Sequence, residues 1–433
     1  MKRSGLLTFF VIAFGLIYLI KLFYLQVINN SYNIPTVNNS AVKVTYDYPE
    51  RGYIYDRNGV LLVANQLSYD IMVIPREVKA IDTLEFCDLL KISKEDFLKK
   101  LKRAQNYSTR IPSTFVAQVS KSDYAFLQEK MYKFKGFYIQ KRSLREYPVK
   151  SAPNVLGYIS EVNEGMIANN PYYQLGELIG TAGVEATYED VLRGVKGVKH
   201  IQRDRFNKEI GPFKNGIYDT IAIPGNDISL TIDAVLQQYG ESLMINKRGG
   251  IVAIEPSSGE ILALVSAPTY DPNLMVGRER SKNFTKFYLD TISNPLLDRG
   301  LKGEYPPGSP FKVITALAAL QEEVINPSTS IKCFGGYRYG AGKDAFMECH
   351  CGTHGNSVQL NKAIYRSCNS YFSNAYRKTI EKYPTSSEGM DAWSNHVKSF
   401  GLGSYLNNDL FVGRPGLVPN AAFYNKWYPN SRW

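Results

Sequence analysis

One run of residues constrains this chain more than any other. From Leu6 to Ile28 the sequence is almost continuously apolar, and Lys2 and Arg3 precede it. A helix of about 20 apolar residues spans the hydrocarbon core of a bilayer. Lys21 lies toward the outer end, where its stem can reach the interface, and Tyr18 and Tyr24 suit that depth. A cleaved signal peptide has a shorter apolar region and a small-x-small cleavage site. Val27-Ile28-Asn29-Asn30-Ser31 offers no such site. The expectation is a tail at 1–5, an uncleaved anchor at 6–28, and the bulk of the chain on the outer side, because Lys2 and Arg3 stay in the cytoplasm.

Composition constrains the chain beyond the anchor. The mean hydropathy of −0.24 argues against further spans. The net charge is +11, but the basic residues are dispersed apart from clusters such as Lys99-Lys100-Leu101-Lys102-Arg103. No nucleic-acid motif accompanies them, so a solvated basic face is expected and nucleic acid is not a partner. Four of the five cysteines (Cys333, Cys349, Cys351 and Cys368, but not Cys87) crowd into one stretch, which favours a local site over a disulfide framework.

Residues 30 to 50 read as a polar stalk. Asp56-Arg57-Asn58-Gly59 between apolar stretches predicts a hairpin turn, with Gly59 at positive φ. Phe137-Tyr138-Ile139 reads as a strand. A helix is expected from Gly183 to about Leu192, with Glu185 in its first turn facing the helix dipole. Ile228 to Ile232 reads as a strand and Ala234 starts a helix. Ile251–Ile254 and Ile261–Val265 flank a turn, and their continuous apolar character predicts burial on both faces. Strand, helix and hairpin followed by helices predict an α+β domain from about residue 228.

The chemistry is concentrated in Tyr305-Pro306-Pro307-Gly308-Ser309-Pro310-Phe311-Lys312. Gly308 makes a tight turn, and Pro310 suits a first helical turn because its missing N–H costs little there. Val313 to Leu320 continues as an apolar helix expected to be buried. Ser309 thus stands at a helix N-terminus with Lys312 one turn on, the spacing at which an amine can reach a serine hydroxyl. Lysine acts as a base only where its pKa is lowered. Ser367-Cys368-Asn369 places a hydroxyl beside a carboxamide; on its own it reads equally as an Asx-type turn or a helix cap.

Ser309-x-x-Lys312 and Ser367-x-Asn369 resemble two of the three active-site motifs of the class B penicillin-binding proteins. Arg51-Gly52-x-Ile54-x-Asp56-Arg57-Asn58-Gly59 and Gly183-Val184-Glu185-x-x-Tyr188-Glu189-x-x-Leu192-Arg193-Gly194 resemble their pedestal motifs. Val252 to Leu264, followed by Tyr270-Asp271-Pro272-Asn273, resembles the start of their transpeptidase domain, and Tyr-Pro-Pro-Gly-Ser resembles the elongation type. The resemblance implies a transmembrane helix, a dimerisation-type pedestal at 29–227 and a serine β-lactamase-like transpeptidase domain at 228–433. It implies that Ser309 attacks the penultimate D-Ala carbonyl of a stem peptide, Lys312 takes the proton, Ser367 relays it to the leaving amine and Asn369 binds the donor peptide. No cofactor serves this chemistry. The implied partners are stem peptides on lipid II-derived glycan, β-lactams, and a RodA-type glycan polymerase within a cell-shape-determining elongation complex at the inner membrane.

One family feature is absent: no Lys-Ser-Gly or Lys-Thr-Gly follows Ser367. The chain is therefore expected to be truncated and, as it stands, not competent for catalysis. Other readings are a scaffold or activator of the polymerase, a division-type member, a β-lactam sensor or a β-lactamase; a lactamase has no need of so long a pedestal. Cysteine and neutral histidine are zinc ligands. By resemblance to relatives with a metal in this insertion, the expected structural set is Cys333, Cys349, His354 and Cys368, with His350 and Cys351 to spare. A disulfide or free thiols are the alternatives. Cys87, His200 and His396 read as packing or surface residues.

Overall fold

The computed structural model describes residues 3–24, 42–79, 81–109, 112–119, 121–174, 176–204, 209–342 and 344–429. The end of the expected anchor and most of the expected stalk fall outside these residues. α1 (Arg3–Phe23) is the N-terminal helix. Its side chains are described from Phe9 onward and nearly all are exposed. Among the described residues, no helix is long and apolar enough to cross a membrane.

The chain divides into two units, one of Met1–Tyr239, Ile254–Ala263 and Tyr270–Phe287, the other of Gly240–Ala253, Leu264–Thr269 and Tyr288–Trp433. In the first, β1 (Val42–Asp47), β2 (Ile54–Tyr55) and the long β3 (Leu61–Val73) lead into α2 (Thr83–Leu90), α3 (Lys94–Tyr107), β4 (Ser113–Val119), α4 (Lys121–Lys130) and β5 (Phe137–Glu146). The Asp56–Gly59 turn forms as expected, with Gly59 at φ 83° and Asp56 Oδ1 accepting from the Asn58 and Val60 amides at 2.7 and 2.8 Å. β3 pairs antiparallel with β2, β4 and β5. α2 and α3 start on side-chain caps: Asp82 accepts from the Leu84 and Glu85 amides, and Ser93 from that of Asp96. Their apolar faces close over the sheet on Phe86, Phe97, Phe115, Phe134 and Phe137, all buried.

Next come α5 (Pro153–Leu156), β6 (Ile159–Glu161), α6 (Glu164–Asn169), β7 (Leu178–Gly180), α7 (Gly183–Thr187), α8 (Glu189–Leu192), β8 (Gly197–Arg203), β9 (Glu209–Pro212) and β10 (Ile228–Ser229). β1, β8 and β9 form a separate sheet. The single helix expected from Gly183 to Leu192 is two short helices broken at Tyr188. Glu185 stands in the first turn of α7 as expected, and it does more than face the dipole. It is fully buried and accepts from Arg51 Nη2 at 2.7 Å and Arg145 Nε at 2.6 Å, while Glu189 takes Arg51 Nη2 at 2.6 Å. Asn65 ties this cluster to β3, accepting from Arg145 Nη1 at 2.8 Å and donating to the Arg51 carbonyl at 2.6 Å.

α9 (Ala234–Leu243) is followed by the paired strands β11 (Gly249–Ile254) and β12 (Ile261–Ala267) and by α10 (Arg280–Leu289). β12 is largely buried, but β11 alternates half-buried and exposed residues, so the expected two-sided burial holds for one strand only. In the second unit α11 (Phe311–Gln321) leads to β13 (Ser330–Lys332), β14 (Gly336–Arg338), β15 (Phe346–Glu348), β16 (Ser357–Gln359), α12 (Leu360–Tyr365), α13 (Asn369–Glu381), α14 (Ser386–Ser399) and α15 (Ala421–Trp427). β13 pairs with β16 and β14 with β15. Ala316 and Ala319 of α11 pack with Tyr371, Phe372 and Ala375 of α13, while Val313 and Leu317 are exposed, so α11 is buried along one stripe only. At its end Glu322 accepts from His396 Nε2 at 2.6 Å, Lys382 Nζ at 2.9 Å and the Tyr383 hydroxyl at 2.9 Å. His396 is therefore a tie between helices rather than a plain surface residue.

Candidate active site

Two helix starts meet at the site. Gly308, at φ 63°, turns the chain into Ser309 and Pro310. The Phe311 and Lys312 amides donate to the Gly308 and Ser309 carbonyls at 3.1 and 3.0 Å, which begins α11. Ser309 is left exposed just before the helix, and Lys312 is half-buried on its first turn. On the other side α12 ends, Ser367 takes the left-handed conformation at φ 53°, and Asn369 is the first residue of α13.

The four residues singled out from sequence come together. Ser367 Oγ donates to Ser309 Oγ at 3.0 Å. Lys312 Nζ donates to Ser367 Oγ at 2.9 Å, to the Ser367 carbonyl at 2.8 Å and to Asn369 Oδ1 at 2.5 Å. Ser367 thus stands between the amine and the Ser309 hydroxyl. With the amine in its neutral form, a proton leaving Ser309 can reach Lys312 through Ser367 once the two hydroxyl rotors reverse. Burial pushes the Lys312 amine below its ordinary value, against the opposing pull of the Cys349, Cys368 and Cys351 thiols. The ring of buried Phe372 lies 5.9 Å below the amine.

Two participants left no signal in the sequence. The backbone carbonyl of Glu348 accepts from Asn369 Nδ2 at 2.7 Å and so fixes the carboxamide; a carbonyl group is present at every residue. Phe372 was indistinguishable from any apolar residue on an α13 face.

Beneath this site lie Cys333, Cys349, Cys351 and Cys368, all buried, their sulfurs within 4.8 Å of one another. No disulfide joins them. Cys351 occupies the place that sequence reasoning gave to His354. The His354 ring instead points Nε2 at the Cys349 carbonyl, 2.6 Å away. His350 is exposed, 3.7 Å from Glu348 Oε2. A tetrahedral zinc with bonds of about 2.3 Å separates its sulfurs by roughly 3.8 Å. Cys333–Cys351 at 3.6 Å and Cys349–Cys368 at 3.8 Å match that spacing. Burial opposes a thiolate at Cys349, yet the Ser370 and Cys351 amides bring it down to about 6, whereas burial pushes Cys368 up.

Comparison with known proteins shows the family of the chain. Residues 46–230 match the family described as the penicillin-binding protein dimerisation domain, and 249–428 the penicillin-binding protein transpeptidase domain. Together these matches take in most of the chain, and the chain belongs to the penicillin-binding proteins. Its relatives place it among the class B members of elongation type. The peptidoglycan D,D-transpeptidase MrdA of Acinetobacter baumannii is 31% identical over 92% of this chain and 58% of its own. MrdA of Escherichia coli is 30% identical over 94% of this chain and 64% of its own. The chain thus spans about three fifths of the length of these two relatives. Penicillin-binding protein 2 of Helicobacter pylori, solved in complex with MreC, superposes over 90% of this chain and 72% of its own with a TM-score of 0.74 at 25% identity.

Proposed function

We propose that this protein is a peptidoglycan D,D-transpeptidase of cell-wall elongation, with Ser309 as the acyl-accepting nucleophile. The observation that carries the reading is the hydrogen-bonded row Ser309–Ser367–Lys312, built on two converging helix starts. Ser309 Oγ attacks the carbonyl of the penultimate D-Ala and its proton passes through Ser367 to Lys312. The C–N bond breaks, and the same proton returns through Ser367 to the amine of the departing D-Ala. An amine from a neighbouring stem then attacks the ester, forms the cross-linking amide and gives its proton back to Ser309. Asn369, oriented by Lys312 and the Glu348 carbonyl, holds the donor peptide.

The remaining assignments rest on the sequence: an anchor at 6–28 in the cytoplasmic membrane, a pedestal at 29–227 and a transpeptidase domain at 228–433 outside it. A RodA-type polymerase and an MreC-like protein are the proposed neighbours, the latter supported by the Helicobacter pylori complex. Cys333, Cys349, Cys351 and Cys368 would hold a structural zinc, whose chemistry is to crosslink β14, β15 and the start of α13 and which leaves no open coordination position.

The test is acylation by a fluorescent penicillin of the protein made from its own gene in its own membranes. Mass spectrometry should place the adduct on the peptide containing Ser309, and Ser309→Ala should abolish it. Lys312→Ala should slow acylation about a thousandfold, within the range of positioned proton transfer. An adduct on another residue, or none, would overturn the assignment.

A further inference from the structure

Glu348, His350, Gly352 and His354 are exposed, while Cys349, Cys351 and Thr353 between them are buried. The loop therefore turns two sulfurs inward, toward Cys333 and Cys368. All four are free thiols, and they fall into two pairs. Cys333 and Cys351 are 3.6 Å apart, and Cys349 and Cys368 are 3.8 Å apart. The outer side of the membrane, where this unit is proposed to lie, is oxidising. Neighbouring thiols there join as disulfides unless a metal engages them.

The second pair is built into the catalytic motif. Cys368 is the residue between Ser367 and Asn369. Cys349 follows Glu348, whose carbonyl accepts from Asn369 Nδ2 at 2.7 Å. Lys312 Nζ donates to the Ser367 hydroxyl and carbonyl on one side of Cys368 and to Asn369 Oδ1 on the other. Movement of Cys368 is thus passed to the groups around the amine. Disulfide sulfurs lie about 2.05 Å apart, so this pair must close by roughly 1.7 Å. Half of that, taken up at Cys368, is enough to carry the bonds of 2.9 and 3.0 Å at the Ser367 hydroxyl out of hydrogen-bond range. The first pair reaches the motif only at its far end, through the 3.4 Å contact of Cys333 Sγ with the Ser370 hydroxyl.

We infer that the four cysteines form a thiol switch on the catalytic row: oxidation by a peroxide to Cys333–Cys351 and Cys349–Cys368 disulfides displaces Ser367 and Asn369 and stops acylation of Ser309, and reduction restores it. In each pair one thiolate attacks a peroxide oxygen, the O–O bond breaks, hydroxide leaves and a sulfenic acid forms. The partner thiolate attacks that sulfur, makes the S–S bond and expels a second hydroxide, and the thiol protons turn both hydroxides into water. Four thiols and two hydrogen peroxides thus give two disulfides and four waters. Thiolates engaged by a zinc are withheld from this chemistry. The inference rests on the Ser309 reading for its output and not for its sulfur chemistry.

The full chain in detergent, as purified and after treatment with a zinc chelator, is exposed to a few equivalents of hydrogen peroxide and then to dithiothreitol. Peroxide should lower its mass by about 4 Da, one hydrogen for each thiol. Acylation by a fluorescent penicillin should slow about a hundredfold, the lower end of what positioned proton transfer supplies. Amides in the first turn of α13 should change their deuterium exchange at least tenfold, and dithiothreitol should reverse all three effects. Cys87→Ser, in the first unit, should respond as the native chain does. Cys333→Ala with Cys351→Ala should keep the switch on one disulfide, and Cys349→Ala with Cys368→Ala should lose it. Should a double variant fail to fold, the native chain decides alone. The inference is overturned if the mass falls in neither preparation, if the disulfides form while acylation and exchange stay unchanged, or if dithiothreitol restores nothing. A reduced chain that takes no penicillin overturns the Ser309 reading instead, and mass and exchange still decide whether the thiols pair and move the motif.

Discussion

Replacing Glu185 by glutamine should unfold the pedestal far more readily than any surface change in the same region. Glu185 is fully buried between Arg51 and Arg145, at 2.7 and 2.6 Å. Arg51 keeps Glu189 in the variant, so its charge stays matched. Arg145 keeps only the neutral Asn65 Oδ1 on Nη1, and its Nη2 already lacks a partner. The substitution thus strands one fully buried guanidinium. Stranding one member of a buried pair costs about 3–5 kcal/mol. At ~1.4 kcal/mol per factor of ten, that raises the open population by roughly two to three and a half orders of magnitude. Native-state hydrogen exchange reads this directly, as faster exchange in peptides covering β3, β5, α7 and α8. Asp190→Asn is the control: its side chain is 83% exposed and pairs only with Arg193, so a cost of about 0.5 kcal/mol or less is expected. The double variant Glu185→Leu with Arg145→Met removes both charges and should recover at least half of the loss. A cost below about 1 kcal/mol for Glu185→Gln, or no recovery in the double variant, would refute the view that a buried charge holds these elements together.

Three other expectations concern the second unit. The His396 hydrogen bond, ahead of those from Lys382 and Tyr383, holds Glu322 at about 2 against an ordinary 4.5. A depressed carboxylate stabilises above its unfolded pKa and loses that stability as pH falls toward its folded one. The stability gap between the native protein and Glu322→Gln, measured by urea titration, should therefore close from about pH 4.5 down toward 2, and a gap constant over that window would contradict it. Cys351→Ser should abolish bound zinc in elemental analysis of the purified protein while His354→Ala retains it; the reverse would restore the ligand set expected from sequence. Because burial lowers the Lys312 pKa, the acylation rate should rise with pH and level off below 10.5, and an inflection at or above 10.5 would remove Lys312 as the proton acceptor.

Sequence reasoning singled out Ser309, Lys312, Ser367 and Asn369, which the fold brings together, because their signals are local. Glycine, proline and an apolar helix fix where Ser309 and Lys312 stand, and helical geometry does the rest. The same holds for the Asp56–Gly59 turn, where the side chain that caps the turn lies within it. The first-turn place of Glu185 was legible because it is a local cue, whereas its partners were not, since Arg51 arrives from the loop before β2 and Arg145 from β5. The buried cysteine cluster differs from the expected ligand set in one member, Cys351 in place of His354, for a related reason. Cys349-His350-Cys351 alternates ligand types within a single loop, and only the packing of that loop decides which side chains turn inward. Pairing has no local signature either, so nothing in Phe137–Glu146 announces that β5 meets one neighbour rather than two.

The left-handed backbone at Ser367 bears on how such a chain can change. A residue with a Cβ costs of order 1 kcal/mol or more in that conformation, and glycine relieves it. Ser367→Gly should therefore leave the fold intact or firmer while deleting the hydroxyl between Ser309 and Lys312. Selection for thermal robustness alone would drift toward that glycine, and only selection for turnover would hold the serine in place. A library sorted first by heat and then by penicillin acylation would separate the two pressures at this single codon.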